Sequence, residues 1–556
     1  MSEIDANIAW TLTQRAASDP SLAAVHQPGS GKDPLGRVYQ TLSFEELEEY
    51  SNKLANALLD CGIKPGTRAV LMVKPSFEFF GLTFAVFKAG IIPVFIDPGM
   101  GIKGLGKCIA DSQAEAFIGI PAAHLARRIF GWGSGSLNQF VAIKSGNRLK
   151  SWGVGSTRTL NVASFSGAPP HITVNDNQTA AILFTSGSTG PAKGVVYTHR
   201  IFNAQVAALR DLLDIRPGEV DLCTFPLFAL FAPALGMTSV IPRMDFTRPG
   251  RVNPLEVIGP VERFQVTNLF GSPALLRRVQ AYGTLHQIQL PSLNRVVSAG
   301  APVPADVIDG VKSMLEINSQ VFTPYGATES LPVACIGSNE ILGETAALTA
   351  QGKGVCVGRP VKGMQVAIIP VTNEPIAQMA DITLLKDGQI GEILVSADQV
   401  TQAYDARPEA NASSKIMDES QASPRYRHRM GDLGYMDPIG RLWFCGRKAH
   451  RVWTSEGPLD TIPTEAIFNQ HPLVFRTALV GVGEKGLHTP VICVELKPGR
   501  HDWGQIQKDL KRIAMEHSQL AQIEYFLHHQ AFPVDVRHNS KIFREKLAVW
   551  ASRRIH

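Results

Sequence analysis

No two cysteines of this sequence stand in a C-x-x-C pair; the seven lie far apart, at 61, 108, 223, 335, 356, 445 and 493. An odd number at wide spacing fits reduced thiols in a cytoplasm better than a disulfide framework or a cysteine-built zinc site. There is also no run of five or six like charges, and 54 basic against 49 acidic residues leave a net charge of only +5. That is no electrostatic footprint for nucleic acid, so none is expected as a partner. The opening residues, MSEIDANIAW, are acidic where a secretory leader is basic, and secretion is not expected. Long apolar runs are missing too, with one exception. Residues 222–242 carry no charge over 21 positions, but Pro226, Pro233, Pro242 and Gly236 interrupt them. A spanning helix tolerates one such break more readily than four, so no transmembrane segment is expected. The stretch reads as buried core or as the wall of an apolar pocket, with contact to a membrane surface left open.

The remaining composition is that of a globular protein, 44% hydrophobic and 19% charged, and 556 residues are too many for one core. Ser43 and Glu46 form a capping box, after which Leu47, Tyr50, Leu54 and Leu58 recur at helical spacing until Gly62 and Pro65-Gly66 stop the pattern. Short apolar runs at 69–73 and 91–96 flank a second helix at 77–89. This strand–helix alternation implies a parallel sheet covered on both faces. Residues 131–170 lose periodicity and read as a long surface connection. GWGSGS at 131–136 has no strand–turn–helix frame and is read as plain loop. From 180 to 330 four apolar runs, at 181–184, 266–270, 295–297 and 321–322, each end in a loop of small residues. In open α/β sheets ligands bind outside the carboxyl ends of the strands, so these loops are expected to meet at one crevice. Residues 402–428 look polar and irregular. A short strand at 441–444 leads to Gly446-Arg447, and the rest reads as a small α+β unit, which puts a domain boundary near 446–452.

Two of those loops carry chemistry. TSGSTGPAKG, at 185–194, combines glycines that free backbone N–H groups to point into one concavity with hydroxyls from Thr185, Ser186, Ser188 and Thr189 and the mobile charge of Lys193. A polyphosphate needs that set. It is not a Walker A loop, since Gly194 follows Lys193, nor is it G-x-G-x-x-G. YGATE, at 325–329, places an aromatic ring, a hydroxyl and a carboxylate at a strand end. Tyr325 can stack on a base, Thr328 can bond a phosphate oxygen, and Glu329 suits Mg²⁺.

With SAGAP, GEILV (391–395), GDLGY (431–435), GRK (446–448) and a late SKIFR (540–544), these motifs resemble the AMP-forming acyl-adenylate (ANL) superfamily in order and spacing over nearly the whole chain. The resemblance implies a large N-terminal domain of doubly wound α/β sheets over 1–445 holding the ATP and acyl sites. A hinge at 446–452 and a small, mobile α+β lid over 453–556 would follow. It implies ATP, Mg²⁺ and a carboxylic acid. Residue by residue, it places Thr185, Ser186, Gly187, Ser188, Thr189, Gly190 and Lys193 on the β- and γ-phosphates, and Gly300, Ala301 and Pro302 along the adenine. Tyr325 and Gly326 would lie at the base, Thr328 at phosphate, and Glu329 on the metal. Asp432 would take the ribose hydroxyls, and Arg447 ribose or phosphate. Lys541 would bridge the acid's carboxylate and the α-phosphate.

The departures from that family are local. Ala229 stands where CoA ligases show a histidine, within PLFALF at 226–231, and Phe228, Ala229 and Phe231 are the expected acyl contacts. His450 occupies the hinge position usually held by Asp or Lys, Met430 replaces the Thr of TGD, and Ser540 replaces a Gly. The wording of 225–254, RHRMGDLGY, HPLVFRTALVGVG and FPVDVRHNSKIFREKL resembles one branch, the olefin β-lactone synthetases of bacterial long-chain hydrocarbon biosynthesis. That branch implies a 2-alkyl-3-hydroxyalkanoic acid with long alkyl chains, activated as acyl-AMP and closed to a β-lactone by its own 3-hydroxyl. It also implies a cytoplasmic enzyme with other hydrocarbon-pathway enzymes as partners. The alternatives are a long-chain fatty acyl-CoA synthetase and a silent adenylate-binding protein. No base for the hydroxyl is identified; His199, His450 and His538 are candidates by position.

Overall fold

The helix expected after Ser43 spans Phe44–Asp60 in the computed structural model, which describes residues 5–29, 38–143, 157–184, 192–225, 231–420, 424–534 and 542–555. Its start is set by a reciprocal cap. Glu46 N donates to Ser43 Oγ (3.1 Å) and Ser43 N donates to Glu46 Oε2 (2.8 Å). Leu47, Leu54 and Leu58 are buried on one face. Strand Arg68–Met72, helix Phe77–Lys88 and strand Ile92–Phe95 follow, as the apolar runs require. They belong to a sheet with seven strands among the described residues, parallel except for its last pair, Thr179–Phe184 with Gly194–Thr198.

A second sheet has fourteen strands among the described residues. One part is parallel and runs through Ala23–Pro28, Thr238–Val240, Val220–Leu222, Asn268–Phe270, Arg295–Val297 and Gln320–Ala327. Beyond Gln320–Ala327 the pairing becomes antiparallel and takes in Gly391–Ser396, Arg425–Met436 and Leu442–Arg447. Three of the four apolar runs between 180 and 330 are therefore neighbours in this sheet, and the fourth lies in the other. The protein is a mixed α/β structure of two large sheets followed by a smaller unit. That unit has strands Val474–Val482, Thr489–Leu496 and Tyr525–His528, helices Thr461–Phe468 and Trp503–Met515, and its own core around Phe468, Leu479, Ile492, Leu510 and Phe526.

Two stretches read as irregular are more ordered than that. Within 131–170, Gln139–Ala142 and Arg158–Thr159 extend the edge of the seven-stranded sheet by parallel pairing. Runs this short gain their order from the strand beside them, not from local propensity. Within 402–428, helix Pro408–Ser414 leads to strand Lys415–Asp418, which pairs with Arg425–Met436. The pattern was masked by inward-facing charges that are paired: Arg427 Nε donates to Asp418 Oδ2 (2.7 Å) and Arg429 Nη2 to Glu392 Oε2 (2.6 Å). The described part of the uncharged stretch at 222–242 serves both as core, with Leu222, Cys223, Ala232 and Val240 buried, and as cavity wall through Phe225 and Phe231. Among the described residues no helix is long and apolar enough to cross a membrane.

Asp221 is buried inside the parallel sheet. Asp221 and Asn268 are register partners on adjacent strands; Asn268 Nδ2 donates to Asp221 Oδ1 (2.6 Å), while Asn268 Oδ1 has no hydrogen bond. Burial pushes the Asp221 carboxyl up to about 7 despite that bond. Between the ordinary carboxylate value and about 7, the folded chain keeps a proton that the unfolded chain releases, so stability falls as pH rises through that window. Asp221→Asn removes the cost and offers Asn268 Oδ1 a donor. We expect its melting temperature to exceed that of the parent chain at pH 8, with a smaller difference at pH 5. A loss of the same size at both pH values would contradict this account.

Candidate active site

Gly326 sits where strand Gln320–Ala327 turns back into Ser330–Gly337. A Cβ there would lie 2.5 Å from the Ser330 carbonyl oxygen, so only glycine fits the turn. That turn carries Thr328 and Glu329 into the wall of a cavity of about 680 Å³. Other strands contribute from the residues just past their carboxyl ends: Asp97 after Ile92–Phe95, Thr224 after Val220–Leu222, Ser272 after Asn268–Phe270, and Gly300, at φ +93°, after Arg295–Val297. Both sheets thus open onto one crevice.

Around Glu329 the side chains are interlocked. Tyr404 Oη donates to Glu329 Oε1 (2.7 Å), and Thr401 N donates to the Glu329 carbonyl oxygen (2.9 Å). Lys193 Nζ lies 4.8 Å from the centre of the Tyr404 ring. Burial and the Glu329 carboxylate together push the Tyr404 phenol well up, so it remains a donor. Tyr197, also buried, donates through Oη to the Thr328 carbonyl oxygen (2.5 Å) and accepts from Gln205 Nε2 (3.3 Å).

A second group centres on Asp432. Tyr325 Oη donates to Asp432 Oδ2 (2.7 Å), and Arg447 Nε stands 3.0 Å from Asp432 Oδ1. Oδ1 itself makes no hydrogen bond. Burial raises the Asp432 carboxyl against the opposing pull of Arg447. A third group joins the cavity to the segment after Arg447. Lys448 Nζ donates to Glu392 Oε2 and to the Thr372 carbonyl oxygen, both at 3.0 Å, beside the bond from Arg429 to the same carboxylate.

The structure therefore brings Lys193, Thr328, Glu329, Gly300, Gly326, Arg447 and Phe231 to one cavity wall. Tyr325 and Asp432 lie just behind it, the Tyr325 ring 6.0 Å from that of Phe444. Ala301 and Pro302 continue the Gly300 loop and are not among the described wall residues. Thr185, Ser186, Gly187, Ser188, Thr189, Gly190, Phe228, Ala229, His538 and Lys541 lie outside the described residues. Of the candidate histidines, His199 packs edge-on to Phe87 and accepts from Ile8 N (3.3 Å), and burial pushes its imidazole down to about 4. His450 bonds Glu545 (3.2 Å), and burial together with Arg544 holds it at about 4. Neither is among the described wall residues. His428 is: it is buried, its Nδ1 has no hydrogen bond, and burial with Lys415 nearby holds it well below its ordinary value. Sequence reasoning missed His428, Tyr404 and Tyr197. Only RHRMGDLGY signalled the first, and nothing local marks the tyrosines, whose importance arises from what they touch.

The donor set suits a magnesium nucleotide. Asp432 Oδ1 is a buried acceptor without a hydrogen bond, as two vicinal hydroxyl donors require. Glu329 offers a carboxylate to a hard cation. Among the described residues no three His, Cys, Asp or Glu cluster as a metal cage, and Mg²⁺ commonly takes one or two carboxylates plus phosphate oxygens.

Residues 12–405 match the family model described as AMP-binding enzyme. The chain is 47% identical to an olefin β-lactone synthetase of Xanthomonas campestris over 98% of this chain and 97% of that one. It is 46% identical to another from Stenotrophomonas maltophilia over 98% of each. A long-chain-fatty-acid–CoA ligase of Mycobacterium tuberculosis is 23% identical over 86% of each. Among solved structures, the amide bond synthetase McbA from Marinactinospora thermotolerans superposes with a TM-score of 0.77 at 20% identity, covering 98% of this chain and 99% of that one. An o-succinylbenzoate CoA synthetase from Bacillus subtilis, in complex with ATP and magnesium ion, gives 0.72 at 19%, covering 97% and 98%. The chain belongs to the AMP-binding enzyme family and is an AMP-forming ligase or synthetase.

Proposed function

We propose that this enzyme activates a 2-alkyl-3-hydroxyalkanoic acid as its acyl adenylate, in long-chain olefin biosynthesis, and then closes it to a β-lactone. The observation that carries this reading is the 46–47% identity, over 98% of the chain, to two olefin β-lactone synthetases. Ala229 in place of the CoA-ligase histidine supports it. In the first step a carboxylate oxygen of the acid attacks the α-phosphorus of ATP, and the bond to diphosphate breaks. In the second the 3-hydroxyl oxygen attacks the acyl carbon, the acyl C–O bond of the mixed anhydride breaks, and AMP leaves as the hydroxyl proton is released. A tethered nucleophile gains from proximity, by up to ~7–11 kcal/mol of barrier in well-oriented cases.

In this reading Asp432 accepts from the ribose hydroxyls, with Tyr325 fixing the carboxylate and Arg447 beside it. Gly300 lets the backbone approach the adenine. Lys193 and Thr328 face the phosphates with the 185–190 loop, and Lys541 holds the acid's carboxylate against the α-phosphate. Mg²⁺ held by Glu329 would supply positive charge where two anions must meet. Residues 446–452 serve as hinge and 453–556 as a lid that delivers Lys541. The enzyme works in the cytoplasm.

Incubation with ATP, Mg²⁺ and a defined 2-alkyl-3-hydroxy acid, without CoA, is expected to give AMP and a β-lactone by mass spectrometry. A strict requirement for CoA, with an acyl thioester as product, would instead favour the acyl-CoA synthetase reading that the 23%-identical ligase supports. Lys541→Ala is expected to abolish acid-dependent ATP–pyrophosphate exchange while ATP still binds; near-normal exchange would remove Lys541 from the site. Asp432→Asn is expected to raise KM for ATP about ten- to hundredfold, the size of losing ~1.5–3 kcal/mol of hydrogen bonding to a charged group. An unchanged KM would place the ribose elsewhere.

A further inference from the structure

Gln205 is an amide in aromatic company. It lies on the buried side of helix His199–Leu213, one turn after Phe202, and is 4% exposed at the wall of the main cavity. The Phe202 ring stands 4.9 Å from that of Tyr197 and 5.6 Å from that of Phe87 between centres. Gln205 Nε2 donates to Tyr197 Oη (3.3 Å), and Tyr197 Oη donates to the Thr328 carbonyl oxygen (2.5 Å). A phenol has one proton to give. Burial pushes the Tyr197 phenol well up, so that proton stays in place. Because it goes to Thr328, Tyr197 Oη can only accept from Gln205, and this fixes the amide: its NH₂ faces Tyr197 and its carbonyl Oε1 is the end left over. Oε1 accepts no hydrogen bond among the described residues.

Other polar side chains at this end of the cavity are spent on the main chain. Thr83 Oγ1 donates to the Phe79 carbonyl oxygen (2.8 Å), Thr224 Oγ1 to that of Phe270, and Ser272 Oγ accepts from Leu275 N (3.3 Å). Tyr197 does not need the amide, since its hydroxyl is already paired with Thr328. A leucine at 205 would pack among the rings without burying an acceptor, so an unanswered carboxamide oxygen is a cost that packing does not explain.

We infer that Gln205 Oε1 binds the 3-hydroxyl of the substrate and thereby selects hydroxy acids over plain fatty acids. This rests on the proposed function and assigns a residue to the group that distinguishes its substrate. The 3-hydroxyl is two carbons from the carboxyl carbon, so it lies close to where the carboxylate meets the nucleotide. Gln205 is two hydrogen bonds from the backbone of the turn that bears Thr328 and Glu329, at the border between the charged and the aromatic parts of the cavity. With its O–H held toward Oε1, the hydroxyl keeps its lone pairs for the acyl carbon. A carboxamide is far too weak a base to keep the proton, so Gln205 binds and orients the nucleophile without deprotonating it.

The test uses the full-length enzyme, a 2-alkyl-3-hydroxy acid and the same acid lacking its 3-hydroxyl, with kcat/KM for acid-dependent ATP–pyrophosphate exchange as readout. The parent enzyme is expected to favour the hydroxy acid about tenfold or more, the size of leaving one buried acceptor unpaired. Gln205→Leu should bring that ratio close to one, by a loss with the hydroxy acid that the deoxy acid does not share. Gln205→Met, unbranched and of similar length, should do the same and replaces the leucine variant if that one does not fold. A parent enzyme that exchanges both acids equally overturns the inference with no variant needed. An unchanged ratio in the variants overturns it too, as does an equal loss with both acids, the mark of a residue that only supports Tyr197. If no hydroxy acid supports exchange, the proposed function has failed, whereas exchange and lactone formation without discrimination sink only the Gln205 assignment.

Discussion

Asp432 is buried, at 3% exposure. A buried carboxylate survives only if its surroundings answer its charge. Here the Tyr325 hydroxyl and the Arg447 guanidinium do so. Those three residues come from Gln320–Ala327, Arg425–Met436 and Leu442–Arg447, so one anion ties the turn bearing Thr328 and Glu329 to the end of the strand that closes at Arg447. The same carboxylate keeps one oxygen without a hydrogen bond. Holding the fold together and presenting an acceptor are in this case one arrangement.

The cavity next to it has two characters. Toward Glu329, Lys193 and Arg447 it is charged and hydrogen-bonded; toward Phe84, Phe202 and Phe270 it is largely aromatic. The division follows the architecture. Strand ends of both sheets deliver loops with polar groups, while the helix faces packed against those sheets can offer only what a core offers.

Much of this was legible in the sequence because the signals were local. The Ser43–Glu46 cap, the short apolar strands and the glycine of YGATE each act on neighbours a few residues away, and each appears where the sequence puts it. What escaped depended on distant partners. Arg427 and Arg429 made a strand look like loop because the carboxylates that neutralise them come from other strands. Tyr404 reaches Glu329 across 75 positions, and Tyr197 reaches Thr328 across 131. His199 shows the converse: a histidine beside the phosphate loop looked chemical, but it packs into the core against Phe87.

Glu392 answers two cations at once, Arg429 from within the sheet and Lys448 from the linker that follows it. If the last hundred or so residues swing about that linker, Lys448 withdraws but Arg429 stays. No lone anion is stranded in the interior, so departure forfeits one contact instead of incurring the full penalty of an unanswered charge. On the hinge proposed at 446–452, such a swing would give up one contact and leave the ion pair inside the body in place.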